Sequence, residues 1–341
     1  MTGALLPLAA VFALQLAPVP EATFARPQGP IRARAAKACE LVMLDADGRE
    51  LGRAAAPAGE LDLAALLPAL RSVPHAVRVQ AVVQGVPVDA PLVVVPLDGR
   101  PTIRTLQDLR PDGKTKYTRV IGWGDRLLDP ARAGDVEART SWEKEDPQPR
   151  SGFRVETDME VVFETDAGRI RFAMRPDCAP NTARNFVELA SRGFYDGTIV
   201  HRVVPKGRQG KPFVIQGGDP TGTGDGGPGY DIPLEPSALR HDFGVVSMAR
   251  NDWPDSAGSQ WFVALTREET ARLDGQYCAF GEAVEGTDAI LAIERGAIAD
   301  PETGRPVKPV VVRRATAVPA KPWTPGTGRP ERRVMRPEPA K

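Results

Sequence analysis

A chain of 341 residues is long for one domain and sufficient for two, each with its own core. Lys+Arg and Asp+Glu are equal at 44 each, so no overall field recruits nucleic acid or an anionic membrane surface. Thirty-four prolines and 33 glycines argue against an all-helical build, while three scattered cysteines and three histidines offer neither a disulfide framework nor metal-ligand spacing.

Residues 4–17 form an apolar run of signal-peptide length. It is too short to cross a bilayer, which needs about 20 residues, so no integral membrane segment is expected. Thr23, Phe24 and Ala25 suit a cleavage site, and residues 1–25 are expected to be an export signal directing the chain to the periplasm. No Lys or Arg precedes the run; the competing reading is an apolar arm packed on the body of a cytoplasmic protein. Residues 38–125 read as a small α+β domain of unknown role. Glu40 to Leu44 and Glu50 to Arg53 flank an Asp-Gly turn, and Leu61, Leu63, Leu66, Leu67 and Leu70 approximate helical spacing, flawed by Pro68. Val77 to Val83 alternates as a strand. Val86 to Leu97, broken by three prolines, suits an edge strand, and Tyr117 to Trp123 adds another. Residues 126–157 are charged and proline-containing, as a linker is.

From residue 158 the pattern changes to many short strands and two helices. Glu160 to Thr165 and Arg169 to Met174 flank a turn. Asn181 to Ser191 is a helix capped by Asn181 and stopped by Gly193. Strands follow at Thr198 to Val204, Phe213 to Gln216, Phe243 to Met248, Trp261 to Leu265 and Ala279 to Val284. A second helix, Thr287 to Arg295, precedes a last strand, Val307 to Arg314. Such a mainly β pattern is consistent with a closed antiparallel barrel. Residues 317–341 are basic and Pro-rich and are expected to be disordered.

The blocks that carry chemistry are F-Y-D-G-T-I-V-H-R-V-V-P (194–205), F-V-I-Q-G-G-D-P (213–220), G-V-V-S-M-A-R (244–250), G-S-Q-W-F-V (258–263) and L-D-G-Q-Y-C-A-F-G (273–281). In this order they resemble the cyclophilin family of peptidyl-prolyl cis/trans isomerases. The likeness covers residues 158–316, about half the chain. It implies a closed eight-stranded barrel capped by two helices, and an enzyme acting on proline-containing polypeptides. No cofactor or metal is implied, no nucleic acid, and a monomer is expected.

Rotation about a peptide bond meets a barrier of about 18–20 kcal/mol because amide resonance is lost on twisting. A catalyst therefore needs a dry pocket for the proline ring, a grip on the flanking backbone, and a donor for the prolyl nitrogen, whose lone pair emerges only in the twisted state. The resemblance assigns that donor to Arg202 of the H-R pair. It assigns the pocket to Phe213, Phe262, Leu273 and Val214, which stands where a methionine is usual. Gln216 and Gln260 would orient the substrate backbone and Arg202, and Ala249, Arg250 and Tyr277 would line the groove.

Departures from the family pattern concern specificity. K-G-R-Q-G-K-P (206–212) is inserted beside the pocket, where it would reshape access or form a lid. Arg250 replaces an asparagine and Tyr277 a histidine. Arg272 replaces the tryptophan tied to cyclosporin binding, so weak binding of that drug is expected. The insert and Arg250 favour a second reading, a non-catalytic proline-peptide module that keeps the barrel. Two other motifs fail on context. Gly222, Gly224 and Gly227 match a dinucleotide fingerprint but are followed by Pro228 rather than a helix, and the surroundings of Ser259 are not those of a hydrolase elbow.

Overall fold

A computed structural model describes residues 14–109, 113–124, 126–128 and 149–337. The fold is mainly β and divides into two compact units, both discontinuous in sequence. One comprises residues up to 97 together with 151–159 and 317–330; the other comprises 98–150, 160–316 and 331–341.

The first unit is built from two sheets. Six antiparallel strands run in the order Phe24–Ala25, Phe153–Thr157, Val86–Pro96, Val77–Val83, Cys39–Leu44 and Glu50–Ala56. Three more, Leu16–Pro18, Arg32–Ala35 and Gly59–Asp62, form the second sheet. Leu41, Val79, Leu92 and Phe153 of the larger sheet share one core with Leu16, Ala33 and Leu61 of the smaller.

Several expectations are corrected here. The unit is mainly β rather than α+β. The leucine-rich stretch makes one helical turn, Leu63–Leu66, capped by Asp62 and followed by a tight 3-10 turn beginning at Pro68. Proline has no N–H to continue the ladder and its ring clashes with the preceding turn. Val86–Pro96 is not an edge strand but lies between two partners. Its prolines are tolerated because the ladder slips around Pro91, where Asp89 adopts φ +55°, and the Gln80 amide donates to the carbonyl of Val88 at 2.8 Å.

The linker and tail are also partly folded. Phe153 and Val155 are fully buried in a strand of this unit; residues 129–148 lie outside the described residues. Trp323 of the tail is 3 % exposed, packs with Val42, Leu44 and Val82, lies 4.2 Å beneath the Arg78 guanidinium, and donates its backbone N–H to Gln80.

The second unit is a curled eight-stranded antiparallel sheet. Its order is Arg202–Val203, Val214–Gly217, Trp261–Ala264, Val245–Met248, Ala279–Glu285, Gly168–Met174, Met159–Thr165 and Val312–Pro319. The expected closed barrel is corrected to an open one. Among the described residues its ends meet through the isolated bridge Ile199–Val311 and neighbouring hydrogen bonds, because the segment before Arg202 is too irregular to form a ladder. Phe163, Phe172, Phe186, Phe280, Tyr195 and Trp261 fill the interior with ring centroids 4.9–6.3 Å apart.

Helices Pro180–Ser191 and Thr287–Glu294 pack on this core, with a further single turn at Arg267–Thr270. The first helix starts one residue earlier than expected. Pro180 occupies its first position, and Glu235, not Asn181, caps it by accepting from the N–H groups of Asn181 and Thr182. The strand Lys116–Trp123 pairs with Ile103–Leu109 and belongs to this unit, with Val120 and Trp123 in its core. The end of the tail belongs here too: Glu331 pairs with Arg171, and Arg336 with Glu294.

Among the described residues no helix is long and apolar enough to cross a membrane, and no cluster of three or more potential metal ligands occurs. Ser259 is buried and donates to the carbonyl of Gly218.

Candidate active site

Short strands place the chemistry. Arg202 lies directly opposite Gln216, and Gln216 opposite Phe262, so three side chains from three adjacent strands share one face of the sheet. Val214, Phe262 and Leu273 are almost fully buried and form an apolar cluster separate from the main core, with Phe213, Ala249, Val204 and Tyr277 against it. The cluster is the floor of a cavity of about 520 Å³. Nine of the ten residues expected at the site line it: Arg202, Phe213, Val214, Gln216, Ala249, Arg250, Phe262, Leu273 and Tyr277. Gln260 instead lines a neighbouring cavity of about 460 Å³ that shares Gln216, Ala249 and Arg250.

Gln260 acts through a chain of side-chain amides. Its Nε2 donates to the carbonyls of Gly224 and Gly226 at 2.7 and 2.9 Å. That leaves its Oε1 to accept from Gln216 Nε2 at 3.1 Å, and Gln216 Oε1 to accept from Arg202 Nη1 at 3.1 Å. Each amide orientation follows from the previous one, so a backbone loop fixes the guanidinium. Burial pushes the pKa of Arg202 down, yet a guanidinium stays protonated. Among the described residues no carboxylate lies within ion-pair distance of it.

The loop that anchors this relay turns on Asp219, which is fully buried. Its carboxylate accepts from Thr221 N, Thr221 Oγ1 and Gly224 N at 2.7, 2.8 and 2.6 Å. Burial pushes this carboxyl up, but the hydrogen bonds outweigh it and hold the pKa at about 2. An unfolded Asp titrates near 3.9, so the folded value is depressed. The stabilisation is therefore present above about pH 4 and lost as pH falls towards 2. Asp219→Asn is expected to flatten the decline of Tm between pH 4 and 2; a decline as steep as in wild type would show that this carboxylate is not its source.

Three residues absent from the sequence-level expectation hold Phe262. The His241 ring stacks on it at 5.7 Å and 15°. His241 Nδ1 donates to Asp274 at 2.9 Å, so its Nε2 accepts from Ser247 Oγ at 3.0 Å. Tyr277 meets Phe262 edge-to-face at 5.6 Å. Burial lowers the His241 pKa despite the adjacent Asp274, and the neutral ring is a spacer rather than a proton carrier. No local spacing links positions 241, 247 and 274, so only the fold reveals them. His201 of the H-R pair is buried, with neither ring nitrogen hydrogen-bonded among the described residues, and burial lowers its pKa; it packs rather than reacts.

The insert 206–212 forms an ordered hairpin rim. At its base Phe213 N donates to the carbonyl of Val204, and Val204 N to the carbonyl of Val214, both at 2.9 Å. Glu269 accepts from the N–H groups of Gln209 and Lys211, and Lys211 pairs with Glu268. Lys206, Gly207 and Arg208 reach the cavity. Arg272 stacks over Phe213 at 4.3 Å and Arg250 over Tyr277 at 4.8 Å.

The model of the family "Cyclophilin type peptidyl-prolyl cis-trans isomerase/CLD" matches residues 160–317. Over 163 residues the chain is 37 % identical to the peptidyl-prolyl cis-trans isomerase ppi1 of Schizosaccharomyces pombe, covering 46 % of this chain and 98 % of that protein. The chain belongs to the cyclophilin-type peptidyl-prolyl isomerase family. A longer relative, the peptidyl-prolyl cis-trans isomerase-like 2 of Cryptococcus neoformans, is 39 % identical over 165 residues, but the match spans only 27 % of its length. A solved cyclophilin from Cryptosporidium parvum aligns at 28 % identity with a TM-score of 0.43, covering 48 % of this chain and 99 % of its own. The cyclophilin match accounts for most of the second unit. It leaves out the first unit's strands up to residue 97 and the hairpin 103–123.

Proposed function

We propose that this chain is a peptidyl-prolyl cis/trans isomerase acting on proline-containing polypeptide segments. The observation that carries the reading is the Arg202 guanidinium, half-buried, without a carboxylate partner among the described residues, and aimed by Gln216 beside a dry aromatic pocket. The proline ring would sit against Phe213, Val214, Phe262 and Leu273. Ala249, Arg250, Tyr277 and Gln260 would flank the substrate backbone. As the bond twists, the prolyl nitrogen gains a lone pair, and Arg202 donates to it. That hydrogen bond exists only near the transition state, so it lowers the barrier without tightening the ground state. Proton transfer, a covalent intermediate and a metal are all unnecessary for the step.

The test is the relaxation of a cis/trans-displaced X-Pro peptide, followed by NMR exchange with the full chain. Acceleration well above the spontaneous rate of tens of seconds or more is expected. A folded protein that binds the peptide without acceleration would make the barrel a binding module instead.

Export and a monomeric state that takes polypeptide rather than nucleic acid belong to the same proposal, resting on the apolar run at 4–17 and the balanced charge. Cleavage after Ala25 would remove buried Leu16 and the strand Leu16–Pro18 from the first unit. Processing upstream of Gln15 is therefore expected, since Gln15 bonds to Asp89 and Lys37. The mass of the chain isolated from its host decides this: loss of residues through Ala25 contradicts it.

A further inference from the structure

The cyclophilin cavity is rimmed by positive charge. Arg202, Arg208, Arg250, Arg272 and Lys206 all line it. Among the described residues none of these five has a carboxylate within ion-pair distance, whereas the adjacent Lys211 and Arg267 pair with Glu268 and Asp274 at 2.5 and 2.6 Å. The contacts that hold these arginines leave their charge intact. Arg272 rests on Phe213, and Arg250 rests on Tyr277 while donating to the carbonyls of Gln276 and Asn251 at 3.1 and 2.9 Å. Burial above all pushes the Arg272 pKa down, with Arg208 and Arg202 adding to it and Tyr277 and Glu269 opposing it.

The charge continues beyond the pocket. A second cavity of about 550 Å³ shares Arg208, Arg250, Arg272, Leu273 and Tyr277 with the first and runs along Tyr117, Thr118 and Arg119, the last of which is paired with Asp108 at 3.7 Å. Those residues sit on the hairpin that the family match does not cover. The hairpin is fixed in place: Gln276 accepts from Val120 N at 2.9 Å, and Asp252 accepts from Thr118 N at 3.1 Å. Among the described residues, Asp252 is the one carboxylate lining the second cavity. Two cavities sharing five lining residues make one groove, an apolar seat for a ring that opens into a cationic trough.

We propose that this trough selects polypeptides with an anionic side chain, carboxylate or phosphate, within a few residues of the proline. The inference rests on the isomerase reading above and names the substrate class of that same site. An anion in the trough relieves the mutual repulsion of the arginines and steers encounter. Because it contacts the substrate alike in ground and transition states, its effect falls on KM rather than kcat.

The experiment uses the full chain and four peptides identical except at the positions flanking the proline, which carry Glu, Gln, Lys or phosphoserine. At low salt the Glu peptide is expected to exceed the Lys peptide about tenfold in kcat/KM, through KM. The ratio should shrink towards one at roughly 0.5 M salt as charges are screened. In Arg208→Gln/Arg272→Gln the ratio should collapse at low salt, whatever the absolute rate. Should that double variant fail to fold, Arg208→Gln alone, on the exposed rim, carries the same comparison. Preference for phosphoserine over Glu assigns a phosphate ligand, and parity assigns a carboxylate. A wild-type ratio within twofold of one, or a ratio unchanged in a folded variant, overturns the proposal. If no peptide is accelerated, the isomerase reading fails by itself, and the Kd values of the Glu and Lys peptides by fluorescence anisotropy decide the trough: a tighter Glu peptide supports it and equal values overturn it.

Discussion

Arg202→Ala is expected to lower kcat/KM for a proline peptide by about 100- to 1000-fold, roughly 3–4 kcal/mol, the usual cost of deleting one aimed donor. The loss should fall on kcat, since the donor meets the prolyl nitrogen only when the bond twists. The fold should survive, because Arg202 lies on a two-residue strand at the end of the sheet and makes one side-chain hydrogen bond, to Gln216. Arg202→Lys keeps the charge but not the planar fork that Gln216 aims, so it should recover only part of the rate. NMR exchange measures both variants, with circular dichroism as the folding control. Unchanged turnover in folded Arg202→Ala would remove Arg202 from the mechanism.

Trp323→Ala should be the most damaging single change in the first unit. The indole is 3 % exposed and packs on Val42, Leu44 and Val82 under Arg78. Emptying such a site costs about 3–5 kcal/mol, a large share of a typical domain stability of about 5–15 kcal/mol. Urea denaturation should show it as an earlier transition of this unit. Thr324→Ala, one residue on and exposed, should shift the midpoint by under about 0.5 kcal/mol. Equal effects at the two positions would mean that the tail does not pack as described.

What was legible in the sequence follows from which contacts are local. Phe213, Gln216, Gln260 and Phe262 lie in compact blocks that carry the cyclophilin resemblance, and strand pairing brings those blocks side by side, so the resemblance rather than any single residue marked the pocket. His241, Ser247 and Asp274 were missed because each supports Phe262 from a different segment, with no spacing in common. The first unit was misread for a related reason. Phe24–Ala25 and Val86–Pro96 pair with Phe153–Thr157, and Trp323 seals the far face; none of these partners is near the others in sequence. Charged neighbours disguised the alternation of Phe153 and Val155, and a leucine pattern suggested a helix that Pro68 cuts to one turn. The tail looked disordered because Glu331 and Arg336 find their countercharges more than 40 positions upstream.

The discontinuity of the first unit has a consequence for its biogenesis. From Leu97 to Trp323 is 323 − 97 = 226 residues, and the strand Phe153–Thr157 comes between them. At a ribosomal rate of about 5–20 residues per second, the early strands emerge roughly 11–45 seconds before the indole that completes their core. The nascent amino-terminal half therefore waits, incomplete and sticky, while the cyclophilin residues are still being synthesised. Premature termination between Thr157 and Trp323 would leave this unit unfinished even though all its strands had already been made.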